Sequence, residues 1–169
     1  MQTTQDILLD WLRDAHAMEQ QAEKILTSFS DRLQHYPELK SRIENHAQVT
    51  RMQQELLRDC IEQLGGSSST LKDLGAKFIG FSQSVSGIFA SDEVVKGAMS
   101  IYVFEQMEIA SYTILIAAAR MANNIETQSI CERIRHQEIA MANWLGEHLP
   151  EITESFLTRS QAPGSTAKR

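Results

Sequence analysis

Four glutamates interrupt lines of apolar residues that recur at helical spacing. Along one such line, Glu105 and Glu108 fall between Ile101 and Tyr112. A carboxylate on the buried side of a helix loses its hydration, so it must take up a proton or face a positive charge. Several such carboxylates in one place repel one another, and hard divalent metal ions are their natural counter-charge. The sequence therefore predicts metal ligation by Glu19, Glu105, Glu108 and Glu138.

Three further polar residues on these apolar lines are candidate metal ligands. His16 precedes Glu19 by one helical turn, whereas His46 and Gln53 lie on a segment whose apolar line carries no acid. Each of the three could instead be a hydrogen-bonded residue of the core. Tyr112 follows Glu108 on the same line, where we expect it to pack in the core, although it could hydrogen-bond to a carboxylate.

The elements that must position these groups are long helices. Apolar residues recur every three or four positions, and no segment shows the alternation of a strand. The predicted helices cover 4–35, 38–64, 92–122 and 126–148, and a short C-terminal helix begins at Pro150. A long crossover at 65–91, with a short and imperfect helix inside it, joins the second helix to the third. This pattern describes an all-α, ferritin-like four-helix bundle over residues 1–158, followed by a disordered tail at 159–169.

A weak internal repeat with an offset of 89 residues supports this arrangement. It relates Glu19 to Glu108, which makes the first two helices and the last two helices copies of one helical hairpin. Since these glutamates lie near the middle of their helices, helices packed side by side bring them to one depth. The same offset relates Glu138 to Val49, so the second helix lacks the acid that a symmetric di-metal site would have.

Composition excludes several classes of protein. The chain has 169 residues with 22 acidic and 16 basic side chains, and its formal net charge of −6 argues against a nucleic-acid-binding surface. No apolar run reaches the roughly 18 residues of a membrane span, and the N-terminus does not resemble a secretory signal. Cys60 and Cys131 cannot form a disulfide framework. We therefore expect a cytoplasmic protein that binds neither membrane nor nucleic acid.

The residues around these acids resemble the YciE/YciF family of ferritin-like bacterial stress proteins, and the YciE branch most closely. The resemblance implies a four-helix bundle, a homodimer and a carboxylate-rich metal site in the core of the bundle. Glu19, Glu105, Glu108 and Glu138 match the acidic positions of the family, and Gln53 matches a polar position on its second helix. Val49 stands where members usually have a glutamate. The matching stretches are DWLRDAHAMEQQAE (10–23), YPELKSRIENH (36–46), GIFASDEVVKGAM (87–99), YVFEQMEIASYT (102–113) and MANWL (141–145).

Two functions are compatible with these features. The first is a stress-associated protein with an iron or manganese site of the di-metal type, complete or incomplete, which would react with a small oxidant such as dioxygen or peroxide. The second, suggested by Val49, is a metal-free bundle that acts as a dimeric structural or interaction protein. The apolar part of the crossover, 74–89, is our predicted place of dimer contact.

Overall fold

The computed structural model describes residues 1–67, 92–164 and 167, and these residues form a bundle of four helices. The described part of the chain contains no strand. The predicted all-α, ferritin-like four-helix bundle is thus confirmed. The crossover helix and the dimer contact predicted at 74–89 lie outside the described residues. The helices are α1 (Thr4–Arg32), α2 (Pro37–Gln63), α3 (Glu93–Met121) and α4 (Ile125–Gln161).

Local sequence signals fix the starts of two helices. Thr3 and Asp6 form a capping box at the start of α1, and the Asn124 side chain accepts a hydrogen bond from the Thr127 amide at the start of α4. Helix α1 ends three residues earlier than predicted. Leu33 is extended there and is buried in the core, so side-chain packing turns the chain out of the helix.

The predicted break before a separate C-terminal helix at Pro150 is wrong, because α4 runs through this proline to Gln161. Proline has no amide hydrogen to donate to the carbonyl four residues earlier. That carbonyl belongs to Gly146, and both residues are exposed, so water can replace the lost donor. Beyond the proline, Ile152 is 6% exposed and Phe156 packs against the same apolar cluster. These contacts hold the last turns in helical conformation, including residues 159–161 of the predicted tail.

The four helices pack as two antiparallel hairpins, α1 with α2 and α3 with α4, which meet through α1 against α3 and α2 against α4. The contact between α1 and α3 is close at Gly97, where an added Cβ would lie 2.2 Å from Cε2 of Phe29. At the same end of the bundle, the Tyr36 hydroxyl donates to the Ala167 carbonyl at 2.6 Å. None of the described helices combines the length and the hydropathy that a bilayer crossing requires.

Two apolar clusters fill the two ends of the bundle. One contains Leu8 and Leu12 from the start of α1 with Leu57 from the end of α2, and the other contains Phe29 and Ile43 from the opposite helix ends. The buried glutamates of α1, α3 and α4 lie near the point where one cluster succeeds the other along each helix, as Glu138 does between Ile134 and Met141. The fold therefore places a polar layer between two apolar ends.

Candidate metal centre

The polar layer consists of groups almost completely withdrawn from water. Glu19 and Glu138 are 0% exposed, and Glu105 and Glu108 are each 1% exposed. Helix α2 contributes His46, Gln53 and no carboxylate, as the sequence indicated. Each helix places its polar residues inward because they continue the apolar line that faces the core.

His46 brings two helices of the other hairpin together. Its Nε2 lies 3.2 Å from Oε2 of Glu105 on α3 and 3.1 Å from Oε2 of Glu138 on α4. One ligand atom from each of these three residues lies within 4.8 Å of the others. Among the described residues, this is the only group of three histidine, cysteine or acidic side chains that meets this spacing. A metal ion could be held here by one nitrogen and two carboxylates.

Gln53 orients one of these carboxylates. Its side-chain amide donates to Oε1 of Glu138, and also to Oε1 of Gln137 at 3.0 Å. The Glu138 oxygen that is not bound by Gln53 is the one that faces His46. Gln53 therefore fixes the rotation of the Glu138 carboxylate. Its own Oε1 has no hydrogen-bond partner among the described residues, so this oxygen could also face a metal ion. Gln137 was not predicted, because it lies beside the apolar line and carries no charge.

Tyr112 makes the corresponding contact at the other side of the layer. Its hydroxyl donates to Oε1 of Glu19, and the ring is 0% exposed. The structure thus gives Tyr112 the hydrogen bond to a carboxylate in addition to the predicted core packing. Within the described residues, Oε2 of Glu19 and Oε1 of Glu108 have no hydrogen-bond partner. Two buried carboxylate oxygens are therefore left for another donor or a cation.

Burial makes the carboxylates of this layer strong proton acceptors. Loss of hydration, together with neighbouring carboxylates, raises the pKa of Glu19 and of Glu108 well above the usual range. Burial also raises the pKa of Glu105 to about 8, although His46 opposes the rise. For His46 itself, burial lowers the pKa, but Glu105 and Glu138 outweigh burial and raise it to about 10. Without a metal, protons on these groups reduce the negative charge of the layer.

The structure does not bring His16 to the His46 triad. His16 is 6% exposed, and its Nδ1 has no hydrogen-bond partner among the described residues. Burial and the Arg58 guanidinium lower its pKa. His16 therefore lies near a cation, which is a poor environment for a ligand of a second cation. Spacing alone could not distinguish His16 from His46, because both lie on buried lines near glutamates.

The residues present fit a hard divalent metal ion. The carboxylates offer oxygens without partners, and His46 adds a borderline nitrogen donor, a donor set that suits several divalent metal ions. The two cysteines do not belong to this donor set. Cys60 and Cys131 are both 0% exposed, and they lie in the apolar cluster at one end of the bundle. Burial raises the pKa of Cys131 to about 12, so this thiol is not a reactive thiolate.

Comparisons with known proteins place this chain among helical bundles of related architecture. Residues 3–158 match the family described as "Domain of unknown function (DUF892)". A protein of Xanthomonas campestris pv. campestris with a known crystal structure is 43% identical, with a TM-score of 0.81 over 94% of this chain and 99% of that chain.

Two more distant structures share the fold. YcfI, a putative structural protein from Rhodopseudomonas palustris, is 24% identical with a TM-score of 0.69, over 86% of this chain and 94% of its own. A dodecameric thioferritin, the bacterioferritin-related protein of Bacteroides fragilis, is 17% identical with a TM-score of 0.70, over 93% and 91%. At these identities the likeness concerns the fold alone.

Proposed function

The chain belongs to the DUF892 family, and on that premise we propose that it is a ferritin-like protein that binds iron or manganese in the polar layer of its bundle. One observation carries this proposal. Four glutamates from three helices are buried together with His46 and Gln53 of α2, and two of the carboxylate oxygens have no partner among the described residues. A stable core does not need so many buried acids, whereas a site for a divalent cation does.

The candidate metal ligands lie on two sides of the layer. His46, Glu105 and Glu138 would bind on one side, and Glu19 with Glu108 would bind on the other. The charge of Glu138 raises the pKa of both Glu19 and Glu108, so the two sides of the layer are linked electrostatically. Tyr112 and Gln53 would hold the Glu19 and Glu138 carboxylates in fixed orientations. His16 and Val49 would contribute no ligand.

Bound iron or manganese would supply one-electron redox chemistry toward a small oxidant such as dioxygen or peroxide. The protein would supply oxygen and nitrogen ligands, and the two apolar clusters would keep bulk water from the layer. The resemblance to the YciE branch supports a role in the stress response of a cytoplasmic homodimer.

Metal content tests the proposal directly. Full-length protein from cells supplied with iron and manganese should contain close to one metal ion or more per chain, measured by elemental analysis. The double variant E105Q/E108Q removes two candidate ligands and should lose most of this metal. E147Q/E151Q on α4 is the matched control, because both of its glutamates are exposed, and it should retain the metal. Less than about 0.2 metal ions per chain in the parent protein would reject the proposal, since a ligand set of this kind should be occupied under these conditions.

A metal-free structural role is the second candidate, and two observations favour it. Val49 leaves α2 without a carboxylate, and His46 already lies between Glu105 and Glu138, where its charge can replace that of a cation. The similar protein YcfI is also described as a putative structural protein. Under this alternative, Val49→Glu should create metal binding that the parent lacks. A parent that binds two metal ions per chain would exclude it.

A further inference from the structure

The two cysteines of the chain lie in the same part of the core, on neighbouring helices. Cys60 belongs to the last turn of α2 and Cys131 to the second turn of α4, and both are free thiols with 0% exposure. Both are members of the apolar cluster that also contains Leu57 and Ile134. The candidate metal centre uses neither thiol, so their chemistry is separate from that of the polar layer.

The register of α2 against α4 places the two cysteines opposite each other. In the polar layer, the Gln53 side chain of α2 donates a hydrogen bond to the Glu138 carboxylate of α4. Cys60 follows Gln53 by seven residues, whereas Cys131 precedes Glu138 by seven residues. Seven residues are close to two helical turns, so in antiparallel helices the cysteine pair repeats the Gln53–Glu138 contact two turns nearer the end of the bundle.

Two further observations agree with this register. Beyond the cysteines, the Gln63 side chain donates to Glu126 at 3.0 Å, which shows that α2 and α4 run antiparallel and stay in contact to the end of the bundle. Burial raises the pKa of the Cys60 thiol, and nearby Thr127 opposes the rise. Burial also raises the pKa of Cys131 to about 12, and the charge of Cys60 contributes to this rise. Cys60 is therefore close to both Thr127 and Cys131, which are one turn apart on α4.

We propose that Cys60 and Cys131 form a redox modification site, at which hydrogen peroxide produces an intramolecular disulfide between α2 and α4. A disulfide requires Cα atoms about 4.4–6.8 Å apart. Facing Cα atoms of helices with axes about 8–10 Å apart come within reach of this range, since each Cα lies about 2.3 Å from its own axis. The product is uncharged, so it fits an apolar cluster in which a thiolate would lose its hydration.

The reaction balances with one molecule of hydrogen peroxide. The Cys60 sulfur, after losing its proton, attacks one peroxide oxygen, the O–O bond breaks, and a sulfenic acid and a hydroxide ion form. The hydroxide ion takes up the proton that Cys60 released and becomes water. The Cys131 sulfur then attacks the Cys60 sulfur, the S–S bond forms, and the S–O bond breaks to release a second water. The two thiols are thus oxidised by two electrons, and the peroxide is reduced to two molecules of water.

Cys60 is the thiol that the oxidant reaches first. A hollow of about 320 Å³ lies at this end of the bundle, and its lining includes Leu64, one turn after Cys60, together with Asn124 and Glu126 at the start of α4. Cys131 lies deeper along α4, and it completes the bond as the second thiol. Because burial keeps both thiols protonated, we expect the disulfide to form over minutes to hours rather than within seconds.

The bond would strengthen a weak contact of the bundle. Among the described helices, α2 and α4 pack against each other less extensively than the other neighbouring pairs. The 70 residues between the cysteines would become a closed loop, which restricts the unfolded chain. The bond would also hold α2 and α4 in the register that keeps Gln53 on Glu138. This inference does not depend on metal binding, so it and the proposed function can fail independently.

Peroxide treatment of the full-length protein tests the site. A chelator is present, so that no bound metal reacts with the oxidant, and the peroxide is removed before the protein is denatured in an alkylating reagent. The treated parent should have lost two hydrogen atoms in mass and should resist alkylation at both cysteines until a thiol reductant is added. Peptide mapping should identify one cross-linked pair that contains Cys60 and Cys131. The melting temperature of the treated parent should rise by about 10 °C.

Cys131→Ala is the matched control, because it leaves Cys60 without a partner but keeps every methionine that peroxide can oxidise. Peroxide should not raise the melting temperature of this variant. If the variant fails to fold, peptide mapping of the parent still decides the question. Cysteines that remain open to alkylation after prolonged treatment would overturn the proposal. Sulfinic acids without a bridge, or a bridge between two chains, would also overturn it.

Discussion

The two sides of the polar layer balance their buried charge in different ways. On one side His46 lies between Glu105 and Glu138, so a positive group within the protein faces both carboxylates. On the other side Glu19 receives only the neutral hydroxyl of Tyr112, and Glu108 has an oxygen without a partner among the described residues. Glutamates at the same depth of the bundle thus differ in how strongly they require an external cation to balance their charge.

The difference arises where the internal repeat fails. The offset of 89 residues relates Glu19 to Glu108, but it relates Glu138 to Val49. Helix α2 therefore contributes an imidazole and an amide where a symmetric site would have an acid. On the side that contains His46, its ion pairs can neutralise the buried carboxylates without a metal ion. On the side that contains Tyr112, the carboxylates need protons or a metal ion to neutralise their charge. Three substitutions test this comparison, from the largest expected effect to the smallest, and a dependence on pH follows them.

Removal of His46 should have the largest effect on stability, and it should act on the side of the layer that contains Glu105 and Glu138. In metal-free protein, His46→Ala leaves Glu105 and Glu138 buried without their positive partner, and loss of one member of a buried pair costs about 3–5 kcal/mol. His16→Ala is the matched control, because His16 is equally buried but does not contact the triad, and it should cost about 1 kcal/mol. Urea denaturation measures both. Equal losses for the two variants would show that the ion pairs of His46 do not stabilise the fold.

Glu138→Gln should affect both sides of the layer at once. Glu138 contacts His46 and Gln53, and its charge acts on Glu19 and Glu108, so every bound metal should be weakened. We expect a loss of affinity of about 100-fold or more, since neutralising one carboxylate removes a ligand and not only an outer hydrogen bond. Titration calorimetry with Mn²⁺ provides the measurement, and Glu147→Gln on the exposed side of α4 is its control. Retention of one tight site in Glu138→Gln would mean that the two sides are independent.

Tyr112→Phe should disturb only the side that contains Glu19. The substitution removes the hydroxyl that donates to Glu19, which should cost about 1–2 kcal/mol in the metal-free protein. It should also weaken metal binding by about 10-fold, as for other outer-shell partners. Tyr102→Phe on the same helix is the control, because Tyr102 is only half-buried, and its stability should change by less than about 0.5 kcal/mol. If the two variants behave alike, Tyr112 acts only by packing.

The unsubstituted protein provides a further test, which is the dependence of its stability on pH. Folding raises the pKa of Glu105 from 4.5 to about 8 and that of His46 from 6.5 to about 10, so the folded state holds these protons more tightly than the unfolded state. The stability that they contribute is complete below pH 4.5 for Glu105 and below pH 6.5 for His46. It is lost as the pH rises through the folded-state values.

Metal-free protein should therefore unfold at a lower temperature at about pH 8.5 than at about pH 6, by on the order of ten degrees. Glu105→Gln should reduce this difference, and bound metal should reduce it too, because metal replaces the protons. Calorimetric melting temperatures at both pH values provide the comparison. A melting temperature that increases toward pH 8.5 in metal-free protein would contradict the assigned protonation.

The spacing of apolar residues along the chain accounts for much of this fold. It predicts four helices and the inward side of each. It also identifies the glutamates that interrupt those sides, because a helix places every third or fourth residue on one line. The position of Glu19 and Glu108 near the middle of their helices indicates the depth of the layer. Each of these properties belongs to a single helix and its length, so each can be derived from local sequence.

Only tertiary structure decided which groups meet across the layer. His16 and His46 have similar sequence surroundings, yet only His46 lies against Glu105 and Glu138, because contacts depend on how neighbouring helices are rotated and packed. The same packing brings the Tyr112 hydroxyl within hydrogen-bonding distance of Glu19. It also keeps α4 helical through Pro150, because Ile152 and Phe156 pack in the core beyond the proline. A sequence specifies the face that each helix turns inward. Its partners across the core follow from the packing of all four helices together.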